Sequence, residues 1–291
     1  MFIEIDHDIK KESIITVEEN INKLADFIFQ DIYNPIECVY IGDIEKKLLD
    51  FLSDEEKEAR KKLNAEKSVF TVGKIISYIK NNTYCVTVLL NIGALCAPDF
   101  FISFLAHEMV HAKDYKLYYD FVDKKPFSDN YIRVPNDLYE AYQYWTEYNA
   151  NRLSQEIVNS LNIEPSIPYG SLKDDVDILF LKLRKAKYEI VEQNDKNYTV
   201  QVACMDFNSR FLIIAGQAAV NKEVDKILID FIEYELTQKI FKNYFNELPK
   251  ILDDIYCTSD FTEKLQKIPL LLKEYDIIWD SLNKFSISNE Y

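Results

Sequence analysis

The chain has 291 residues, 48% hydrophobic and 14% aromatic, enough to bury a sizeable core in one large domain or two small ones. Its 49 acidic residues outnumber 34 basic ones for a formal charge of −15, which repels phosphate backbones and anionic lipid and argues against nucleic acid or a membrane surface as a main partner. Only 5 glycines and 8 prolines occur, so obligate turns are few and long helices should outnumber short strands.

The opening segment, MFIEIDHDIKKESI, carries acids where a secretory leader would carry bases and lacks a sustained apolar core, so export by that route is not expected. Val17 to Ile32 spaces Ile21, Leu24, Phe27 and Ile28 along one helical face, and Glu37 to Ile41 reads as a short strand. The charged run from Asp54 to Lys67 reads as a solvated helix with pairs at i,i+4 and no assigned function. Phe70 to Ile79 and Tyr84 to Leu90 are β-rich, and Lys80-Asn81-Asn82-Thr83 between them has the character of a hairpin turn.

Ala97-Pro98-Asp99 opens a helix of about six turns that should run through Tyr119. Asp123 to Pro135 reads as a loop, after which Asp137 with Glu140 forms a capping pattern for a second helix to about Leu161. Beyond the break at Pro165 to Gly170, Ser171 with Asp174 starts a further helix, and helical patterns continue to about Leu282. Thr199 to Ala219 is so apolar that pattern alone does not separate helix from strand. Within it, Phe211 to Val220 falls well short of the ~20 residues that span a bilayer and reads as core. Five cysteines, Cys38, Cys85, Cys96, Cys204 and Cys257, are widely spaced without a CxxC pair, which predicts buried thiols in a reducing cytoplasm. The expected fold is α+β and mostly helical: residues 1–165 with a small antiparallel sheet, then a helical region over 166–291.

The chemistry concentrates in His107-Glu108-Met109-Val110-His111, which holds two of the chain's 3 histidines. On a helix, positions i and i+4 share a face, so both imidazoles can reach one cation. Glu108 stands about 100° round, beside such a cation rather than on it. A carboxylate there can take the proton of a water that zinc has acidified and pass it to a leaving amine. The plainer reading, that the imidazoles only satisfy buried polar contacts, is weaker because Phe101, Ile102, Phe104 and Leu105 bury this helix and unpaired imidazoles would be costly there.

A catalytic zinc needs a third protein ligand and an open position. His7 lies far upstream in an acidic segment and is assigned to the surface, whereas the second helix offers Glu140, Glu147 and Glu156. Asn151 shares the face of Glu147 at i+4 and could orient a ligating histidine.

The pairing of HEMVH with Glu147-Tyr148-Asn149-Ala150-Asn151-Arg152-Leu153 resembles the gluzincin pattern of the ImmA/IrrE metallopeptidase family. Asn149 stands where that pattern has an acid and Leu153 where it has an aromatic. The resemblance spans about residues 84 to 155. It implies a zincin-like metallopeptidase domain over 1–165, one Zn2+ per chain, Glu147 as the third ligand beside His107 and His111, and Glu108 as general base. His111-Ala112-Lys113-Asp114 is similar to a run in other gluzincins, and Asp114 on the metal face could hold an imidazole N–H, with plain surface exposure as the alternative. A tyrosine often stabilises the oxyanion in related enzymes, and Tyr144 and Tyr148 are the nearest in sequence. By analogy with the strand that lines a zincin cleft, Tyr84 to Leu90 is expected as the substrate-binding edge, or else as an ordinary interior strand.

The expected activity is therefore that of a zinc metalloendopeptidase acting on a protein or peptide substrate. The alternative is a zincin-like regulatory protein that keeps its metal but works through a protein partner with little general proteolysis. ImmA/IrrE relatives are associated with control of transcriptional repressors. No helix-turn-helix or basic segment stands out in this chain, so any effect on DNA is expected to be indirect.

Overall fold

The computed structural model describes residues 1–6, 11–54, 57–58, 73–96, 98–126, 137–161, 172–189, 193–234, 237 and 244–271. The chain divides into two compact units, Met1–Arg133 with Ile157–Ser166, and Val134–Glu156 with Ile167–Tyr291, so residues 134–156 group with the C-terminal helices. His7 and most of the charged run from Asp54 to Lys67 lie outside the described residues.

In the first unit β1 (Phe2–Ile5), α1 (Lys11–Ile28), β2 (Ile36–Gly42) and α2 (Ile44–Leu48) are followed by β3 (Gly73–Lys80), β4 (Thr83–Asn91) and α3 (Pro98–Phe121). The four strands form one sheet in the order β1-β2-β4-β3. It is mixed, which corrects the antiparallel expectation: β1 and β4 flank β2 in parallel, and β3 alone runs antiparallel, to β4. Parallel pairing suits β2, because IECVYIG is a nearly continuous apolar run and is buried at six of its seven positions. The strand β1 was not anticipated, since four residues are too few for alternation to stand out.

The β3–β4 hairpin closes as expected. Lys80 pairs with Thr83, and Asn81 (φ 51) and Asn82 (φ 61) adopt the left-handed conformation that a two-residue type I′ turn demands. The order places β4 between β2 and β3, so Tyr84 to Leu90 is an interior strand and not the substrate-binding edge; among the described residues β1 and β3 are the outer strands.

One face of this sheet packs Cys38, Tyr40 and Leu89 against Ile44 and Leu48 of α2. The opposite face, carrying Gly73, Ile75, Val88 and Leu90, receives α3, and α1 packs on α3 through its buried stripe Ile21, Leu24 and Ile28. Phe27, expected in that stripe, is half exposed, and Ala25 and Phe29 are buried instead. Cys38 is buried, with its thiol pushed up to about 11 by burial, whereas Cys85 is half-buried and Cys257 exposed, contrary to the expectation of buried thiols throughout.

The second unit holds α4 (Asp137–Ser160, residues up to 156), α5 (Leu172–Tyr188), α6 (Gln193–Ala218), α7 (Lys222–Ile232), α8 (Tyr244–Cys257) and α9 (Phe261–Lys267). Phe207 and Phe211 of α6 meet Phe231 and Phe245 in an aromatic cluster with ring centroids 4.6 to 6.0 Å apart. The ambiguity over Thr199 to Ala219 is resolved in favour of helix, which runs through Ala218. No helix among the described residues is long and apolar enough to cross a membrane.

Candidate metal centre

Helix α3 is buried nearly all round. Phe101, Leu105, Ala106, Met109, Val110 and Ala112 are at most 3% exposed, and the polar Ser103, Glu108, His111 and Asp114 are buried among them. The helix begins at Pro98, a residue whose fixed φ favours a first turn. Seated on the sheet, the helix has little freedom to rotate, and the motif residues take their directions from it.

His107 and His111 project from successive turns, and their Nε2 atoms stand 3.0 Å apart. Two nitrogens bound to one tetrahedral zinc at ~2.0–2.1 Å would be roughly 3.3 Å apart, so the spacing already approximates that of a shared ion. The rings meet edge to face, with centroids at 4.5 Å. Tyr115, one turn beyond, lies with its ring 5.8 Å from that of His111. Glu108 is 7% exposed, and its carboxyl group lies against the Cα of Gly73 at the start of β3.

Glu147 comes from α4. One ligand atom each from His107, His111 and Glu147 all lie within 4.8 Å of one another. Two imidazoles and one carboxylate, two of the three residues half-buried and one buried, match the donor number and type of a site that can hold a transition metal and leave a position open. Glu140, also half-buried, does not belong to this group.

The turn of α4 about its own axis is set by residues much later in the chain. The Arg152 guanidinium donates to Tyr148 Oη at 3.0 Å, to Asp253 Oδ1 at 2.5 Å and to Glu156 Oε1 at 3.4 Å. Its Cζ stacks 3.7 Å from the Tyr256 ring centroid, and the Tyr256 hydroxyl donates to Glu156 Oε2 at 2.8 Å. Burial opposes the charge of Arg152, and the hydrogen bonds to Asp253 and Tyr148 outweigh it and raise its pKa. On another side of α4, Gly216 of α6 comes so near that a Cβ there would stand 2.6 Å from the carbonyl oxygen of Tyr148.

These contacts also define the remaining candidates. Asn151 is buried; its Nδ2 donates to the carbonyl of Glu147 at 2.8 Å and its Oδ1 accepts from Gln217 Nε2 at 3.4 Å. Among the described residues its amide is thus committed to its own helix and to α6 rather than to an imidazole. Glu156 belongs to the Arg152 cluster. Tyr148 is 1% exposed, its hydroxyl accepts from Arg152, and burial raises its pKa. Tyr144 lies one turn before Glu147 and is half-buried. Asp114 is 4% exposed, which removes the alternative of surface exposure.

Gly73 lies inside a β-rich run, where a glycine is a signal of close approach by another group. Gln217, Asp253 and Tyr256 carried no such signal. The chain matches no known protein family, no curated protein and no solved structure.

Proposed function

We propose that the chain is a zinc-dependent peptidase in which His107, His111 and Glu147 hold one Zn2+ and Glu108 moves the proton. The observation that carries this reading is the convergence of the three ligand atoms with a buried carboxylate one residue from the first imidazole. When bound, zinc supplies Lewis acidity that lowers the pKa of a water and polarises a carbonyl. Glu108 accepts the proton of the attacking water and returns it to the leaving amine. The packing of Phe101, Leu105 and Met109 holds α3, and hence Glu108, in place. The outer strand β3 reaches the site at Gly73, and no described strand pairs with it on the side away from β4, which suits an extended peptide adding alongside it. Unpaired thiols at Cys38, Cys85 and Cys257 are in keeping with work in the cytoplasm.

The test joins metal analysis to cleavage of casein and of a quenched fluorescent peptide library. The parent should bind zinc stoichiometrically and cut. Glu108→Gln should keep the zinc and lose about 10²- to 10⁴-fold in turnover; equal cutting by that variant rules the mechanism out. A parent that binds zinc and leaves every protein and peptide intact would support the regulatory alternative. Absence of both stoichiometric metal and metal-dependent stabilisation would overturn both readings.

A further inference from the structure

Gly73 occupies an ordinary strand position. It pairs with Leu90 in the antiparallel ladder, and its φ is not positive, so the backbone there would accept any L-residue. Glycine inside a strand costs about 0.5–1 kcal/mol relative to alanine, and no turn or bulge at this position requires it. What requires it is Glu108. A Cβ on Gly73 would stand 2.5 Å from Glu108 Oε1, 2.9 Å from Cγ and 3.0 Å from Cδ, closer than non-bonded atoms approach.

Neither backbone can yield readily. The strand is tied to β4 through eight paired positions, and α3 is wedged by Leu105, Ala106 and Met109, each 0% exposed. The soft part of the contact is the far end of the Glu108 side chain, which is also the part that carries the chemistry.

We propose that Gly73 is a positioning residue: the space left by its missing side chain is where the Glu108 carboxylate sits, so the start of β3 decides where the proton acceptor lies. The functional part of this inference rests on reading Glu108 as that acceptor, while the packing part does not.

The two parts separate in one set of variants of the full chain, loaded with zinc. Gly73→Ala should keep its metal and nearly the parent's thermal midpoint, because the backbone tolerates alanine and a flexible side-chain end absorbs the clash. A crystal structure of the variant should show the Glu108 carboxylate moved by about 1 Å or more, and kcat on a quenched fluorescent peptide should fall roughly hundredfold with KM changed less than about threefold. Glu108→Asp withdraws the carboxylate by one methylene, so adding Gly73→Ala in that background should change kcat by less than about threefold.

An unmoved carboxylate in Gly73→Ala overturns the proposal. So does a kcat within about threefold of the parent, or the same hundredfold loss in the Glu108→Asp background, which would mark a general structural defect. If the parent binds zinc and cleaves nothing, the peptidase reading fails; a displaced carboxylate in Gly73→Ala then still supports the packing of Gly73 against Glu108.

Discussion

On α3 the imidazoles of His107 and His111 meet because they stand one turn apart, and their nitrogens lie 3.0 Å from each other by virtue of that helix alone. On α4 the direction of Glu147 depends on how the whole helix is turned, and that is decided by Gln217, Asp253 and Tyr256, which lie far along the chain. A ligand pair built into one helix survives small losses of tertiary contact. A ligand aimed by distant contacts should lose affinity as soon as those contacts are cut.

The largest expected effect breaks the pair itself. His107→Ala or His111→Ala should abolish stoichiometric zinc binding, measured by plasma spectrometry after dialysis, together with the stabilisation that zinc confers, about 2.7 kcal/mol at a hundredfold excess over Kd. Zinc retained at parental affinity in either variant would remove the shared site.

Cutting supports on the two helices sharpens the comparison. Arg152→Met should cost about 2 kcal/mol of stability in urea unfolding, because it leaves the Tyr148, Glu156 and Asp253 contacts unmade, and it should weaken zinc binding about tenfold by calorimetry. Gly216→Ala should be destabilising by about 1–3 kcal/mol despite the better helix propensity of alanine, since its Cβ meets backbone of α4. On α3, Lys113 donates to Ile28 O at 3.0 Å and to Asp31 Oδ1 at 2.6 Å. Lys113→Met should cost about 1 kcal/mol and leave zinc affinity unchanged. Equal zinc losses in the Arg152 and Lys113 variants would mean that local and distant support are not distinct.

The smallest effect lies away from the metal. The Glu37 carboxyl is held below the usual carboxylate range by its hydrogen bonds to Lys80 and Tyr78. A depressed folded pKa contributes stability that is present above the unfolded value, near ~4.3, and is lost as pH falls through the folded value. Glu37→Gln should therefore flatten the acid side of the stability curve by less than about 1 kcal/mol, the usual scale for a partly exposed pair, and leave neutral-pH zinc binding untouched.

Where a feature depended on neighbours in sequence, it could be read in advance. The Asn81-Asn82 turn follows from two residues that tolerate positive φ between two β-rich runs, and the helix from Pro98 from its first-turn chemistry. Strand order could not be read this way, because the parallel pairing of residues 2–5 with 38–41, and of 36–42 with 86–91, joins segments far apart. That is why the sequence left Tyr84 to Leu90 open between a substrate-binding edge and an interior strand, and the strand order makes it interior. Tyr148 and Asn151 illustrate the same limit within one helix. Their positions beside Glu147 were plain, but the Tyr148 hydroxyl accepts from Arg152, and the Asn151 amide donates to the Glu147 carbonyl and accepts from Gln217.

By itself the sequence determined the imidazole pair and the place of Glu108 beside it, because 3.6 residues per turn leaves little else to decide. Spacing left Glu140, Glu147 and Glu156 open and only the resemblance implied Glu147; tertiary structure brings Glu147, and neither of the others, within reach of that pair, and it alone makes room at Gly73 for the carboxylate of Glu108. Those outcomes depend on packing between segments far apart in the chain, and a side chain's direction is set there by the groups that fill the space around it.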